Sequence, residues 1–234
     1  KIIQHFNKEV CISKLDFSYG EHKTLKNVSI SIQKGKMTSI VGPSGSGKST
    51  LIDILMGYYK IKDGSISIDE TPFETINLNS WRDLVGYIPQ QPFLFNASIR
   101  ENILWANPII TNEEMISACE LAHVHDFVME MKEGYETIVG ERGMKLSGGQ
   151  AQRICLARAI AAQPEILILD EATSSLDSNS ESLIQESIES LQGDITIISV
   201  AHRLSTIVNS NHIYFLEEGC LIEDGTFEDL MMKK

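Results

Sequence analysis

The chain has 234 residues, of which 42% are hydrophobic and 22% are charged, a composition typical of a globular protein that buries its own core. Its formal net charge of −12 argues against nucleic acid as the main ligand, because a phosphate backbone is bound by a basic surface. No apolar run approaches the roughly 20 residues of a membrane-spanning helix. Since the sequence begins with Lys1 directly before a strand pattern, we expect a soluble domain cut from a longer chain.

The first part of the chain alternates apolar and polar side chains. Residues 10–19 and 28–32 show this alternation, and the turn-prone Tyr19-Gly20-Glu21 lies between them. The pattern predicts two strands of a partly exposed antiparallel sheet.

The stretch GPSGSGKST, residues 42–50, follows the apolar run 37–41 and precedes apolar residues at helical spacing. It therefore predicts a strand, a glycine-rich turn and a helix start, the context that the P-loop pattern GxxxxGK[ST] requires. Such a turn and helix N-terminus present N–H groups to a polyphosphate. We expect Lys48 to neutralise the β- and γ-phosphates and the Ser49 hydroxyl to hold Mg²⁺. The predicted phosphate-binding residues are Gly42, Pro43, Ser44, Gly45, Ser46, Gly47, Lys48, Ser49 and Thr50.

The alternative for this stretch is a glycine-rich turn with an incidental lysine. It is disfavoured because strand, turn, Lys-Ser pair and helix all occur in order.

The rest of the chain divides by periodicity. A strand is predicted at 65–69, a helix at 79–84 and a short strand at 85–88. Residues 90–162 show only helical patterns, at 97–105, at 112–131 with a break near His123, and at 148–161, which predicts a helical subdomain inserted into a core of 1–89 and 163–234. The core resumes with the segments 166–170, 178–191, 195–201, 203–208, 212–216 and 220–223. Strands alternating with helices predict an α/β core with a mainly parallel sheet covered on both faces.

The apolar run 166–169 ends in Asp170 and Glu171, as expected of a central parallel strand that delivers carboxylates to its C-terminal edge. Asp170 fits a ligand of the Mg²⁺ ion, which prefers hard oxygen donors. Glu171 is then placed to orient and deprotonate a water that attacks the γ-phosphate. The alternative for this pair is simple capping of the following helix.

The stretch LSGGQ, residues 146–150, places two glycines at the start of a long amphipathic helix. The chain thus carries two helix starts suited to an anion. Either it binds two anions, or one site is completed by another copy of the chain.

With these residues in place, the sequence closely resembles the nucleotide-binding domain of ABC transporters of the exporter type. The resemblance covers residues 10 to about 230 and rests on GPSGSGKS as Walker A, ILILDE as Walker B, LSGGQ as the family signature and SSLD at 174–177 as the D-loop. It implies one domain with a P-loop NTPase (RecA-like) core, an N-terminal antiparallel β-subdomain and an inserted α-helical subdomain.

The resemblance also implies how the two helix starts are used. Two chains pair head to tail, and the LSGGQ of one covers the ATP that the Walker A of the other holds, so the second alternative is favoured. The signature residues expected at this ATP are Ser147, Gly148, Gly149 and Gln150, with Asp177 communicating across the dimer.

Three further roles are implied by the resemblance alone. His202 is the switch histidine that contacts the γ-phosphate, and Gln90 is the Q-loop glutamine that meets Mg²⁺, with Gln91 as the alternative. Tyr19 is the aromatic residue on which adenine stacks, although core packing on one face of a strand would also explain it.

Residues 137–143, TIVGERG, are similar to a TEVGERG motif that exporters place against the transmembrane partner. Ile138 replaces its first glutamate, and Ala151 stands where a polar residue commonly follows the signature.

The implied cofactors are ATP and Mg²⁺, and the implied partners are a second identical domain and a transmembrane domain of the full-length chain, with no nucleic acid. The implied location is the cytoplasmic face of the cell membrane.

Two other functions are disfavoured by the sequence. A relative acting on DNA or ribosomes is disfavoured, because such proteins carry a long coiled coil between Walker A and signature or two domains in tandem. A degenerate domain that binds ATP without hydrolysing it is disfavoured because Glu171 and His202 are both present.

Overall fold

The computed structural model describes residues 1–173, 176–201 and 203–232 and contains two sheets with helices packed around them. The strands are β1 (Glu9–Tyr19), β2 (His22–Gln33), β3 (Met37–Val41), β4 (Asp63–Ile68), β5 (Thr71–Pro72), β6 (Val85–Ile88), β7 (Ile166–Asp170), β8 (Thr196–Val200), β9 (His212–Glu217) and β10 (Cys220–Gly225). The helices are α1 (Lys48–Leu55), α2 (Leu78–Arg82), α3 (Ile99–Leu104), α4 (Asn112–Leu121), α5 (His125–Met129), α6 (Gly148–Ala161), α7 (Ser178–Leu191), α8 (Leu204–Ile207) and α9 (Phe227–Met232). None of the described helices is long and apolar enough to cross a membrane.

The smaller sheet is antiparallel, in the order β2-β1-β4-β5. In the pairing of β1 with β2, Val10 lies opposite Ile32 and Ile12 opposite Ile30, and all four side chains are buried. Because every second residue faces the core, the alternation in the sequence sets which face of the sheet is covered. The predicted N-terminal antiparallel sheet is confirmed.

The larger sheet has six strands in the order β10-β9-β3-β8-β7-β6. Neighbouring strands from β9 to β6 run parallel, and β10 is an antiparallel strand at one edge. The strand before the P-loop, β3, is separated from the carboxylate-bearing β7 only by β8. The C-terminal ends of these three strands therefore meet at one edge of the sheet, where open α/β sheets bind ligands. The predicted α/β fold class is confirmed.

Both faces of the larger sheet are covered, as predicted. On β7, Ile166 and Ile168 pack into a core with α1 and the antiparallel sheet, whereas Leu167 and Leu169 pack into a core with α3, α4, α6 and α7. The helices of 90–162 therefore share one hydrophobic core with the sheet. The division into a core and a helical subdomain at these boundaries stays a prediction.

The observed helices and strands differ from the sequence prediction at a few places. The helix predicted at 97–105 begins only at Ile99, because Ser98 and Glu101 form a capping box. The break near His123 is confirmed, and His123 adopts a left-handed φ of 51° between α4 and α5. The sequence analysis missed the short strand β5 and the helix α9, whose start is set by hydrogen bonds between Thr226 and Asp229.

Candidate nucleotide site

The glycines of the P-loop adopt conformations that other residues rarely reach. Gly42, Gly45 and Gly47 have φ of 150°, 79° and 104°. A Cβ atom at Gly42 would lie 1.9 Å from the carbonyl oxygen of Leu216 on β9. The turn therefore lies too close to the sheet for any other residue at this position.

Lys48 lies inside the loop and is only 4% exposed. Its Nζ donates hydrogen bonds to the carbonyl oxygens of Gly42 and Pro43, both at 2.9 Å. Burial lowers the pKa of the Lys48 ammonium, and the nearby Glu171 and Asp170 carboxylates oppose that shift. The loop backbone thus holds the Lys48 ammonium group near the C-terminal ends of β3 and β7.

The N-terminus of α1 follows directly. Gly47 at its N-cap has no side chain with which to cap the helix, and its first turn, Lys48-Ser49-Thr50, contains no acidic residue. The N–H groups and the positive end of the helix dipole at this end therefore suit an anion.

Asp170 at the end of β7 is oriented by a neighbour on the adjacent strand. The Tyr87 hydroxyl on β6 donates a hydrogen bond to Asp170 Oδ2 at 3.1 Å. Burial raises the pKa of Asp170, while the bond from Tyr87 opposes this shift. Burial also raises the pKa of Tyr87, so the tyrosine remains a donor at neutral pH.

The candidate donors for Mg²⁺ fit that ion chemically. Ser49 and Gln90 are exposed and Asp170 is partly exposed, and they offer a hydroxyl, an amide and a carboxylate oxygen. Mg²⁺ prefers such hard oxygen ligands and keeps several waters.

Glu171 is held against Gln90. Gln90 Nε2 donates a hydrogen bond to Glu171 Oε2 at 2.7 Å, so the amide oxygen of Gln90 is not used in this contact. The Glu171 backbone has a left-handed φ of 50°, and its N–H donates to the carbonyl of Val200 at the end of β8. A non-glycine residue in this conformation is strained, which is common where a side chain must be aimed at a site.

Tyr19 lies at one end of an open groove above the P-loop. The lining residues are Tyr19, His22, Thr24, Ser44, Gly45, Gly47, Lys48, Ser49, Thr50 and Glu171. Tyr19 is 41% exposed and its hydroxyl lies 3.5 Å from Thr50 Oγ1. This exposure contradicts the alternative that Tyr19 is a core residue.

The signature residues lie at the start of α6, away from this groove. Ser147 and Gln150 form a capping box, in which Gln150 N–H donates to Ser147 Oγ at 3.1 Å and Ser147 N–H donates to Gln150 Oε1 at 2.9 Å. Within the described ranges, none of the residues 147–150 lines the P-loop groove. The structure therefore does not bring the two helix starts together within one chain.

The signature packs instead against α7 of its own chain. A Cβ atom at Gly149 would lie 2.0 Å from Ser180 Oγ and 2.5 Å from Ser180 Cβ, whereas one at Gly148 would come no nearer than 4.0 Å to Leu176. Asp177 caps α7 by accepting hydrogen bonds from the N–H groups of Asn179 and Ser180, which lower its pKa. Gly149 is thus a point of close contact between α6 and the helix that Asp177 begins.

Some predicted residues lie outside the described ranges, namely His202 and the first two D-loop serines, Ser174 and Ser175. The neighbouring Arg203 forms an ion pair with Glu181 of α7, and the Ser205 hydroxyl donates to the same carboxylate at 2.8 Å.

Sequence reasoning missed Tyr87 and Ser180. Tyr87 could have been found, because the alternation along β6 places it on the face opposite Ile88. Ser180 matters through a contact between separate elements, which no sequence spacing indicates.

Comparisons with known proteins identify the family of this chain. The family model described as ABC transporter matches residues 25–174. The chain belongs to the ABC transporter family. An ABC transporter B family member 1 of Dictyostelium discoideum is 42% identical over 99% of this chain. A Staphylococcus aureus protein, named provisionally as a multidrug export ATP-binding/permease protein, is 44% identical over 95% of this chain.

A solved structure of a bacterial Atm1-family ABC exporter with ATP bound covers 98% of this chain with a TM-score of 0.93 and 37% identity. The chain spans 26% and 39% of the length of the two relatives and 41% of the solved exporter chain. The chain is thus an ABC-type nucleotide-binding domain with a P-loop NTPase core, similar to the matching part of these exporters. ABC domains of this kind bind ATP, and family membership implies ATPase activity.

Proposed function

We propose that this domain is the Mg²⁺-dependent ATP-hydrolysing motor of an exporter and that two copies pair head to tail around two ATP molecules. The observation that carries the proposal is the position of the signature. Its helix start is intact and capped, yet it lies outside the P-loop groove of its own chain. A second copy related by a twofold axis supplies the missing helix start to each groove, and the pairing closes because each copy offers the same two surfaces.

Each residue in the groove has a separate task in this proposal. Lys48 and the N-terminus of α1 bind the phosphates, and Tyr19 stacks on adenine. Glu171 accepts a proton from the attacking water, and Gln90 holds the Glu171 carboxylate in position until the site closes. Ser49, Asp170 and Gln90 would hold Mg²⁺, which would supply positive charge against the β- and γ-phosphates. His202 completes the site as the switch histidine.

The partner surface for a transmembrane domain lies on the helical part of the chain. Phe93, Trp105 and Ile138 are 51%, 67% and 42% exposed, and Phe95 stacks against Trp105 at a ring-centroid distance of 4.3 Å. Exposed aromatic surface of this kind is typical of a binding site for another protein. The ATP-binding/permease name of one relative supports a transmembrane domain in the same full-length chain. We place this domain at the cytoplasmic face of the cell membrane, where ATP is available.

The dependence of ATPase rate on protein concentration tests the pairing. If each site needs two chains, phosphate release per chain rises with chain concentration while the chain is mainly monomeric and levels off once dimers dominate. The rate is measured together with the molecular mass in solution across the same dilution series. A chain that is monomeric by mass and hydrolyses ATP at a constant rate per chain would contradict the proposal.

A further inference from the structure

Among the described residues, the polar contacts of Tyr19 do little to fix the plane of its ring. It lies at the end of β1 directly before Gly20, which has a left-handed φ of 59°. Its hydroxyl contact with Thr50, at 3.5 Å, is at the limit of a hydrogen bond. A ring on which a base stacks must nevertheless keep one orientation, since each loss of side-chain freedom on binding weakens affinity.

Two other aromatic rings supply that orientation. The Tyr19 ring centroid lies 5.0 Å from that of Phe17 at an interplanar angle of 88°, and 5.2 Å from that of Tyr59 at 86°. Phe17 and Tyr59 are themselves 5.4 Å apart. All three distances lie in the range at which aromatic pairs attract, and an edge-to-face arrangement is preferred over a face-to-face one.

Tyr59 is the member of this cluster that comes from another part of the chain. Phe17 and Tyr19 both lie on β1, whereas Tyr59 follows the end of α1, the helix whose N-terminus we propose binds the phosphates. The pKa of Tyr59 is raised, chiefly by its polar contact with Tyr19, which agrees with the short distance between the two rings. Tyr59 is not among the described residues that line the P-loop groove.

We propose that Tyr59 is a positioning residue for the nucleotide base, holding the Tyr19 ring in the plane on which adenine stacks. This inference rests on the proposed function, because it requires that Tyr19 contacts the base. Tyr59 acts through Tyr19 and not on the phosphates, so its removal weakens binding of a nucleoside triphosphate while leaving binding of an inorganic polyphosphate unchanged.

The test measures binding of ATP and of inorganic tripolyphosphate to the 234-residue chain by titration calorimetry, with Glu171→Gln present throughout so that ATP stays intact. We expect Tyr59→Ala to weaken ATP binding about two- to tenfold, the loss of one aromatic pair, and to leave tripolyphosphate binding unchanged. Tyr59→Phe retains the ring and keeps most of the affinity. The matched control is Tyr58→Ala, because Tyr58 is 58% exposed and its ring contacts Arg82 rather than Tyr19.

A double variant separates positioning from a direct or general effect. In the Tyr19→Ala background we expect Tyr59→Ala to cause no further loss of ATP affinity, because the residue through which it acts is gone. A loss of equal size in both backgrounds, or an equal loss for tripolyphosphate, would overturn the inference. Thermal unfolding of each variant reports the fold, and Tyr59→Leu replaces Tyr59→Ala if the latter is unfolded.

The same variants also test separately whether Tyr19 stacks on the base, on which the role of Tyr59 depends. Tyr19→Ala should weaken ATP binding about tenfold by loss of base stacking, with tripolyphosphate unaffected. If Tyr19→Ala binds ATP with the affinity of the parent chain, then both the stacking role of Tyr19 and the positioning role of Tyr59 are wrong. If Tyr19→Ala weakens binding but Tyr59→Ala does not, only the inference about Tyr59 is wrong.

Discussion

Replacing Glu171 by glutamine should abolish ATP turnover while leaving ATP binding intact. The glutamine amide fills the same space but cannot accept the proton of the attacking water, and a general base contributes about 10²- to 10⁴-fold to the rate. We therefore expect phosphate release to fall at least about 100-fold, with the ATP affinity of the P-loop changed less than about threefold. Since ATP then persists between the paired chains, the variant should accumulate as an ATP-dependent dimer, measured by size-exclusion chromatography with light scattering.

The control for this substitution is Glu186→Gln. Glu186 is an exposed carboxylate on α7 that lies 3.5 Å from Nε2 of His123, and it does not line the groove. This variant should hydrolyse ATP at the parent rate and should not accumulate as a dimer. A Glu171→Gln chain that keeps the parent rate within twofold would remove Glu171 from its proposed role.

Replacing Gly149 by alanine should destabilise the domain because the added Cβ atom meets Ser180. Rotating the Ser180 hydroxyl does not relieve the overlap, since the Ser180 Cβ itself would lie only 2.5 Å away. Overpacking of this kind costs about 1–3 kcal/mol. We expect the free energy of unfolding, measured by urea titration, to fall by that amount.

Ser180→Gly tests the assignment of this effect to one contact. Alone it should cost about 0.5 kcal/mol, because glycine has a lower helix propensity than serine near the start of α7. Combined with Gly149→Ala it opens the space that the new methyl group needs, so the double variant should be more stable than the sum of the two effects predicts. Gly148→Ala is the matched control and should change stability by less than about 0.5 kcal/mol, as its Cβ meets no atom closer than 4.0 Å. Strictly additive losses would show that Gly149 is not limited by Ser180.

The elements of the fold were largely predictable because local patterns specify them. The pattern of apolar residues predicted β6, β7, α6 and α7 with their observed bounds, since each is an apolar run or a helical pattern with a clear cap or break at its ends. The two-residue strand β5 and the helix α9 were missed, because the first is too short to show a period and α9 buries none of its residues.

The candidate site was predictable where one segment carries the chemistry. The P-loop turn, the Asp170-Glu171 pair at a strand end and the helix start at Gly148 all lie where the sequence predicted them. The contacts between segments were not predictable, because the Gln90 bond to Glu171, the Tyr87 bond to Asp170 and the Gly149 contact with Ser180 depend on which strands and helices become neighbours. Which elements become neighbours is set by the whole fold and not by any one segment.

Chemical crosslinking between unlike chains tests the head-to-tail pairing most directly. One chain carries Ser44→Cys in the P-loop and the other carries Ser147→Cys in the signature, both with Glu171→Gln and with the two partly exposed native cysteines, Cys11 and Cys220, replaced by serine. A short bifunctional thiol reagent is added to each chain alone and to the mixture, with and without ATP. We expect a crosslinked dimer in the mixture, dependent on ATP and containing one of each chain. No crosslink in the mixture under conditions where ATP-bound dimers are present would contradict the account, because the signature of one chain would not then cover the P-loop of the other.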